Sequence, residues 1–441
     1  MSPACEGNRL DTGAVPLHCA GNTMDNREAE GMKLSRRTVT FAIAAATLTA
    51  CTATVPTQKK AEPQMRAVAN AGYDTWVAGF RARASASGIS QSTLSVAFRN
   101  AGYLPGVIER DRNQTEFTRT LEDYLAIAAS DDRVSTGKTM LHKHASVLSQ
   151  IEAQYGVEPN VVTAIWGLES RYGARRGNVP VISALSTLAY DGRRGAFFES
   201  QLMAALKILQ NGDVSVANMT GSWAGAMGHT QFIPTSYQAY AVDFRGDGRR
   251  DIWSDDPTDA LASTAAYLKR SGWTRGQPWG VEVKLPDGFS TGQTGRGTKR
   301  SPSDWAAQGV RDMNGRAVPN HGAASILIPA GAAGPAFMVF QNFTVISRYN
   351  NSTLYVIGIG HLSDRLVGGP PIRGAFPPDA QGMTIDDRRE LQQRLTGAGF
   401  DTDGADGVIG SNTRAAISGY QRKHGLAVTG EPSLELLQHL R

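Results

Sequence analysis

The sequence predicts a mainly α protein: a large helical body containing a small strand-bearing subdomain, followed by a separate three-helix unit at the C-terminus. Three observations carry this. Apolar residues recur at three- and four-residue spacing through most of residues 65–373. Short β-prone runs joined by glycine-rich connections are confined to about residues 281–343. A Pro/Gly-dense stretch, Leu366–Pro378, then precedes three more helical patterns. With 441 residues the chain has the length for two or three such units.

Taken in order, the first feature is a targeting segment. Met32-Lys33-Leu34-Ser35-Arg36-Arg37 is basic and leads into the apolar run Phe41–Ala50, which is too short to span a bilayer and reads as a signal peptide over 32–50. Arg36-Arg37 also fits twin-arginine export. Residues 1–31 have no place ahead of such a region and read as an upstream extension, with Met32 as the start. Leu48-Thr49-Ala50-Cys51 resembles a bacterial lipobox, which makes Cys51 the lipidated mature N-terminus; a plain signal peptide with a chance cysteine is the alternative. One acyl chain anchors without spanning, and Thr52 in place of an aspartate points to the outer membrane, on its periplasmic side. Residues 51–64, polar and Pro-containing, form the tether.

The body, 65–370, carries helical patterns at Asp74–Ala84, Phe117–Ala129, Thr139–Tyr155, Val161–Ser170, Phe197–Gln210 and Thr258–Ser271. Val281–Leu285 and Ala336–Phe343 are strand-prone, and helix returns at Asn351–Arg365. A linker, 371–383, leads to the last unit, 384–441, with helical patterns at Ile385–Gly397, Ser411–His424 and Ser433–Leu440.

Composition narrows the function class. Hydrophobic residues at 41% and charged ones at 19% describe an ordinary globular chain. A net charge of +5 suits an acidic polymer or surface; without a basic helix, zinc-finger spacing or an aromatic RNA-binding stripe, no nucleic-acid partner is expected. Cys5, Cys19 and Cys51 are the only cysteines, so the body holds neither a disulfide framework nor a thiolate metal site.

One stretch, AIWGLESRYG over 164–173, places a carboxylate in an otherwise apolar helical run. Glu169 follows Ile165 by four residues and Val162 by seven, so it shares their face, with Trp166 three residues back. Desolvation by those side chains and the negative end of a helix stopping at Gly173 both raise the carboxyl pKa, as a general acid requires. Periodicity alone leaves an ion pair with Arg193 or Arg194 as an equal alternative. A second segment, GSWAGAMGHTQFIPTSY over 221–237, combines small residues with Ser222, Trp223, Gln231 and Tyr237. It suits close approach to a sugar, and equally suits tight helix packing.

Together with LAYDGRRGAFF, GDGRRDIW and RYNNSTLY, in this order over about 190 residues, these segments resemble the membrane-bound lytic murein transglycosylase B family. The resemblance implies a lysozyme-like helical catalytic domain. It also implies cleavage of the β-1,4 bond between N-acetylmuramic acid and N-acetylglucosamine in peptidoglycan glycan strands, leaving 1,6-anhydromuramoyl ends. Glu169 would be the only catalytic carboxylate, first acid and then base. Ser222, Gln231 and Tyr267 match positions lining the site, and Tyr349, Asn350 and Tyr355 match a wall contacting sugar and acetamide. Arg193 and Arg194 match an arginine pair suited to peptide or muramoyl carboxylates, and Tyr124 matches a further aromatic subsite position. A hydrolytic muramidase would instead need a second carboxylate, for which Asp191, Glu199 and Asp243 are the candidates. A non-catalytic peptidoglycan-binding scaffold is the third reading.

Two aspartate-rich loops complete the reading. Asp243–Asp251 resembles the start of an EF-hand loop, and some members of the resembled family bind calcium there. Asp243, Asp247 and Asp259 are the ligand candidates, against which stand Arg245 at the third position and Ser254 at the twelfth. No cofactor is required by the expected chemistry, with calcium as the one candidate ion. The loop Asp401–Gly410 is similar to that of the type 1 peptidoglycan-binding domain, in which Asp406, Gly407, Gly410 and Thr413 serve turns and caps rather than a metal.

Overall fold

Apolar periodicity becomes helix wherever a cap stops it. The computed structural model describes residues 65–113 and 119–441; the signal segment, the tether and Cys51 lie outside these. The first helix, Ala71–Ala86, starts where Asn70 accepts from the Tyr73 N–H and buries Tyr73, Phe80 and Ala84. The expected helix over 139–155 divides into Asp131–Lys143 and Ala145–Tyr155, because the chain turns at His144. The 117–129 pattern is helical from Leu121, where the Thr120 hydroxyl caps the Asp123 N–H. Gln91–Phe98, Pro105–Arg112 and Val181–Asp191 form further helices. Among the described residues, no helix is long and apolar enough to cross a membrane.

The body packs around one core in which Val162, Ile165, Leu185, Leu202, Leu261 and Ile357 are fully buried. Its central helix, Pro159–Ser170, starts at a proline and buries Val161 through Gly167 without interruption. It packs against the helices Thr353–Leu366, Asp131–Lys143, Ala145–Tyr155 and Thr258–Arg270. β1 (Val179–Pro180) and β2 (Thr220–Gly221) form a two-stranded ribbon beside its C-terminal end.

The strand-bearing subdomain is a four-stranded antiparallel sheet. β3 (Gly280–Lys284), β4 (Arg311–Asp312), β5 (Ser325–Leu327) and β6 (Ala336–Val339) pair in the order β4-β3-β6-β5. Trp305 is fully buried over it, its indole N–H donated to the Ala324 carbonyl. The strand-prone run ends sooner than its apolar pattern suggests: Gln341–Tyr349 is a helix, its apolar residues facing the core.

In the C-terminal unit, the helices Ile385–Gly397, Ser411–Lys423 and Leu434–Leu440 enclose Leu391, Leu395, Ile417 and Leu437. The 401–410 loop is a set of turns: Asp406 accepts from the Val408 N–H, and Gln392 spans the Gly407 N–H and the Thr413 hydroxyl. The linker is not free. Glu282 accepts the backbone N–H groups of Arg373 and Gly374, and Ile372 and Phe376 rest on the body's core. Arg388, almost fully buried, pairs with Asp379 of the linker and with Glu122 and Asp123 of the body, each at 2.9 Å.

The 243–251 loop corrects the calcium expectation. The Asp243 carboxylate accepts the N–H groups of Gly246, Asp247 and Gly248, and the Asp259 carboxylate those of Phe244, Arg245 and Asp251. The Arg245 guanidinium lies among Asp247, Asp251, Asp256 and Asp259 at 3.3–3.9 Å. A guanidinium therefore supplies the positive charge a divalent ion would bring, and the residues do not fit calcium. Adding calcium or a chelator is expected to shift the melting temperature by less than about 1 °C in a thermal scan, since a ligand without a site stabilises nothing. Arg245→Ala should lower it by several degrees, because Asp259 is buried and loses its counter-charge.

Candidate active site

The helix Pro159–Ser170 delivers Glu169 in its last turn. Arg171 and Tyr172 then adopt left-handed backbone (φ 52° and 56°), followed by Gly173 at 86°. The helix therefore ends at Ser170, before the expected Gly173 stop. Two consecutive non-glycine residues in this region store strain of the kind that clusters at functional sites. Packing holds it: the Tyr172 ring lies so close to Gly167 that a Cβ there would meet it at 2.5 Å.

Among the described residues, the Glu169 carboxyl has one hydrogen-bond partner. The Tyr355 hydroxyl donates to Oε1 at 2.6 Å. No arginine or lysine forms an ion pair with it among the described residues. Burial pushes its pKa up to about 7, while the Tyr355 bond works the other way by favouring the carboxylate. The ion-pair alternative is thereby answered. Arg193 instead makes a bidentate pair with buried Asp111, and the Arg194 guanidinium lies over the rings of Phe197 and Phe198 at 4.8 and 4.9 Å. Among the described residues, no second carboxylate acts on Glu169 either. Asp191 pairs with Arg112, Glu199 with Arg83, and Asp243 closes its own loop.

The wall facing Glu169 comes from the 349–355 segment. The Tyr349 hydroxyl donates to the Thr230 carbonyl, and Asn350 accepts from the Ser352 N–H at 3.0 Å. Tyr124 reaches the same helix, its ring against Gly358 one turn beyond Tyr355. Tyr267 departs from expectation: it is 5% exposed, donates to the Arg348 carbonyl, and stacks edge-on behind Tyr349 at 5.0 Å. It supports the wall instead of lining it.

Opposite lies the 221–231 loop. The Ser222 hydroxyl accepts the N–H groups of Ala224 and Ala226, closing a tight turn. Gln231 has left-handed backbone (φ 54°) and spends its amide N–H groups on the carbonyls of Arg176 and Gly228, which leaves its Oε1 as the acceptor for a ligand.

Two residues that sequence reasoning passed over hold these parts together. Buried His229 accepts the Trp166 indole N–H on Nδ1, which places its proton on Nε2, 2.7 Å from the Ser254 carbonyl. The Ser170 hydroxyl donates to the His229 carbonyl. His229 was visible within GHTQF, but its role depends on Trp166, 63 residues away. Arg296, from the glycine-rich part of the sheet subdomain, donates to Asn351 Oδ1 at 2.8 Å and Thr353 Oγ1 at 2.9 Å. No local pattern marks it.

Tyr355→Phe removes the bond that favours ionised Glu169, so the carboxyl pKa should rise further. The alkaline limb of the pH–rate profile should then move to higher pH, with a loss in maximal rate of about tenfold. A profile unchanged in position would disprove the coupling.

The chain is similar to several known proteins. Residues 72–364 match the transglycosylase SLT domain family, and residues 384–440 the peptidoglycan binding domain family. Membrane-bound lytic murein transglycosylase B of Escherichia coli (strain K12) is 35% identical over 238 residues, covering 52% of this chain and 63% of that protein's length. The crystal structure of SltB3 from Pseudomonas aeruginosa in complex with NAG-NAM-pentapeptide is similar at 48% identity and TM-score 0.69, covering 84% of this chain and all of that one. The Escherichia coli lytic transglycosylase Slt35 in complex with calcium is similar at 30% identity and TM-score 0.58, covering 68% of this chain and 93% of that one.

Proposed function

Because the chain belongs to the transglycosylase SLT domain family, we propose that it is a lytic murein transglycosylase in which Glu169 is acid and then base. The observation that carries this is one carboxyl, pKa about 7, held by a tyrosine and with no second carboxylate acting on it among the described residues. A carboxyl half protonated near neutrality suits both proton transfers.

Protonated Glu169 gives its proton to the oxygen linking muramic acid to the next glucosamine, and the C1–O4 bond breaks. A single-carboxylate site lacks the nucleophile of a two-carboxylate glycosidase. The muramoyl N-acetyl oxygen therefore stabilises C1, positioned by Asn350, Gln231 Oε1 and the Tyr349 wall. The Glu169 carboxylate then takes the proton of the C6 hydroxyl as O6 closes on C1, giving the 1,6-anhydro ring and restoring the acid. Ser222 and Tyr124 belong to the binding surface, and water is not a reactant.

Residues 65–370 form the catalytic unit in this reading, and 384–441 hold the enzyme on its polymer. Cys51 anchors it to the periplasmic face of the outer membrane, a reading supported by the membrane-bound relative. Mass spectrometry of sacculi digested by the purified protein tests the reaction. Anhydromuramoyl ends are expected; reducing ends would establish a muramidase instead.

A further inference from the structure

A charged cavity lined by Arg176, Asp213, Arg249 and Asp255 adjoins the Ser222–Gln231 wall. A second cavity, of about 520 Å³, shares none of those residues and has no part in the reaction above. It opens where β3, the linker and the C-terminal end of the helix Thr353–Leu366 meet. Its size is that of a small-ligand site. The same helix carries Tyr355, and Asp364 at the cavity lies about 13 Å further along its axis.

Two polar side chains of that helix line the cavity with hydrogen-bonding capacity to spare. His361 is 6% exposed, and its ring makes no hydrogen bond among the described residues. Asp364 accepts the Trp279 indole N–H on Oδ2 at 2.9 Å; among the described residues no donor reaches Oδ1 and no cation pairs with the carboxylate. Burial pushes the Asp364 carboxyl up to about 6, as a carboxylate without a counter-charge requires. Burial pushes His361 down to about 4, so its ring is neutral, offers a lone pair and does not repel a cation. Three residues apart on a helix, the two side chains start about 5–6 Å from each other, within reach of one ammonium group. The other charged groups lining the cavity are engaged. Glu282 holds the N–H groups of Arg373 and Gly374, Asp312 holds the Asn314 N–H and the Arg316 guanidinium, and the Arg373 guanidinium donates to Asn314 Oδ1. Trp279, Val281, Ile372 and Val367 supply apolar wall, the last of them 65% exposed.

We propose that this cavity binds a small primary amine with an apolar body. The ammonium is shared between Asp364 Oδ1 and a His361 ring nitrogen, and the body lies against Trp279, Val367 and Ile372. The bound amine joins sheet, helix and linker, so it stabilises the folded chain by mass action. The site does not depend on the reaction at Glu169.

Phenethylamine is the probe, titrated calorimetrically into the full chain above the pH at which Asp364 ionises. Saturable binding and a raised melting temperature are expected. Phenylacetate, with the same ring and the opposite charge, should not bind. Phenethyl alcohol, which lacks the charge, and methylammonium, which lacks the ring, should each bind at least about tenfold more weakly. Asp364→Asn keeps an acceptor for the Trp279 indole and should weaken phenethylamine about tenfold; His361→Phe should weaken it about threefold. Glu169→Gln should bind it as wild type does. Absence of saturable binding to wild type, equal affinity for phenethyl alcohol, or unchanged affinity in Asp364→Asn would overturn the site. Loss of binding in Glu169→Gln would place the amine at the acid and overturn it too. The ligand series on wild type decides the matter even where a cavity variant fails to fold.

Discussion

Glu169→Gln is expected to lose at least about 10³-fold in the formation of anhydromuramoyl ends, because in the proposed reaction one side chain provides both proton transfers. Glutamine keeps the size and can still accept from the Tyr355 hydroxyl, so binding to sacculi should persist while turnover disappears. The same substitution should stabilise the fold at alkaline pH. The folded-state pKa is raised from 4.5 to about 7 by burial. The folded protein therefore holds a proton that the unfolded chain releases, and stability falls as pH rises from about 4.5 to 7, then levels off. A shift of this size is on the order of 3 kcal/mol. The variant should thus melt a few degrees above wild type at pH 8 and at the same temperature near pH 4. A glutamate held in an ion pair would give the opposite, a less stable glutamine variant. Thermal scans at the two pH values, run beside product analysis, separate the cases.

The second large effect is Gly177→Ala. Gly177 has a φ of +85°, and a Cβ there would lie 2.2 Å from the backbone of Gly221 and 2.6 Å from the Ser222 nitrogen. The left-handed backbone alone costs an L-residue about 1 kcal/mol. The clash is with backbone on a paired ribbon and cannot be relieved by a rotamer. We expect a total cost of roughly 3–4 kcal/mol or a displaced 221–231 loop, and in either case a large fall in kcat/KM. Gly88→Ala is the matched control, with a φ of +91° and nothing within 4 Å of the added carbon. It should cost only the backbone penalty. Similar melting temperatures for the two variants would refute the close-approach argument.

How far the site was legible in the sequence depended on how far apart its parts lie along the chain. Glu169 and the side chains that desolvate it, Val162, Ile165 and Trp166, fall within eight residues, so helical periodicity could place them. Tyr355 lies 186 residues further on, and its bond to the carboxyl follows no local pattern. The motif around Tyr267 points to a surface position, yet packing against Tyr349 and Tyr240 buries it. The sequence offers Arg193 to substrate carboxylates but hides its pairing with buried Asp111, 82 residues away.

The calcium loop shows the same limit from the other direction. Aspartates at alternate positions suggested oxygen ligands, and Arg245 was noted as a misfit. Only the folded loop shows that the misfit supplies the missing charge. By itself, then, the sequence determined the mainly α architecture, the break before the C-terminal unit and the carboxylate, Glu169, set on an apolar helical face. Each follows from residues close in the chain, where backbone geometry dictates which side chains share a face. Tertiary structure alone decided that, among the described residues, Glu169 has a tyrosine and no ion-paired cation beside it, that Arg193 pairs with Asp111, and that a charged cavity adjoins the site. Those are contacts between segments tens to hundreds of residues apart, set by how helices pack and not by the period within any one of them.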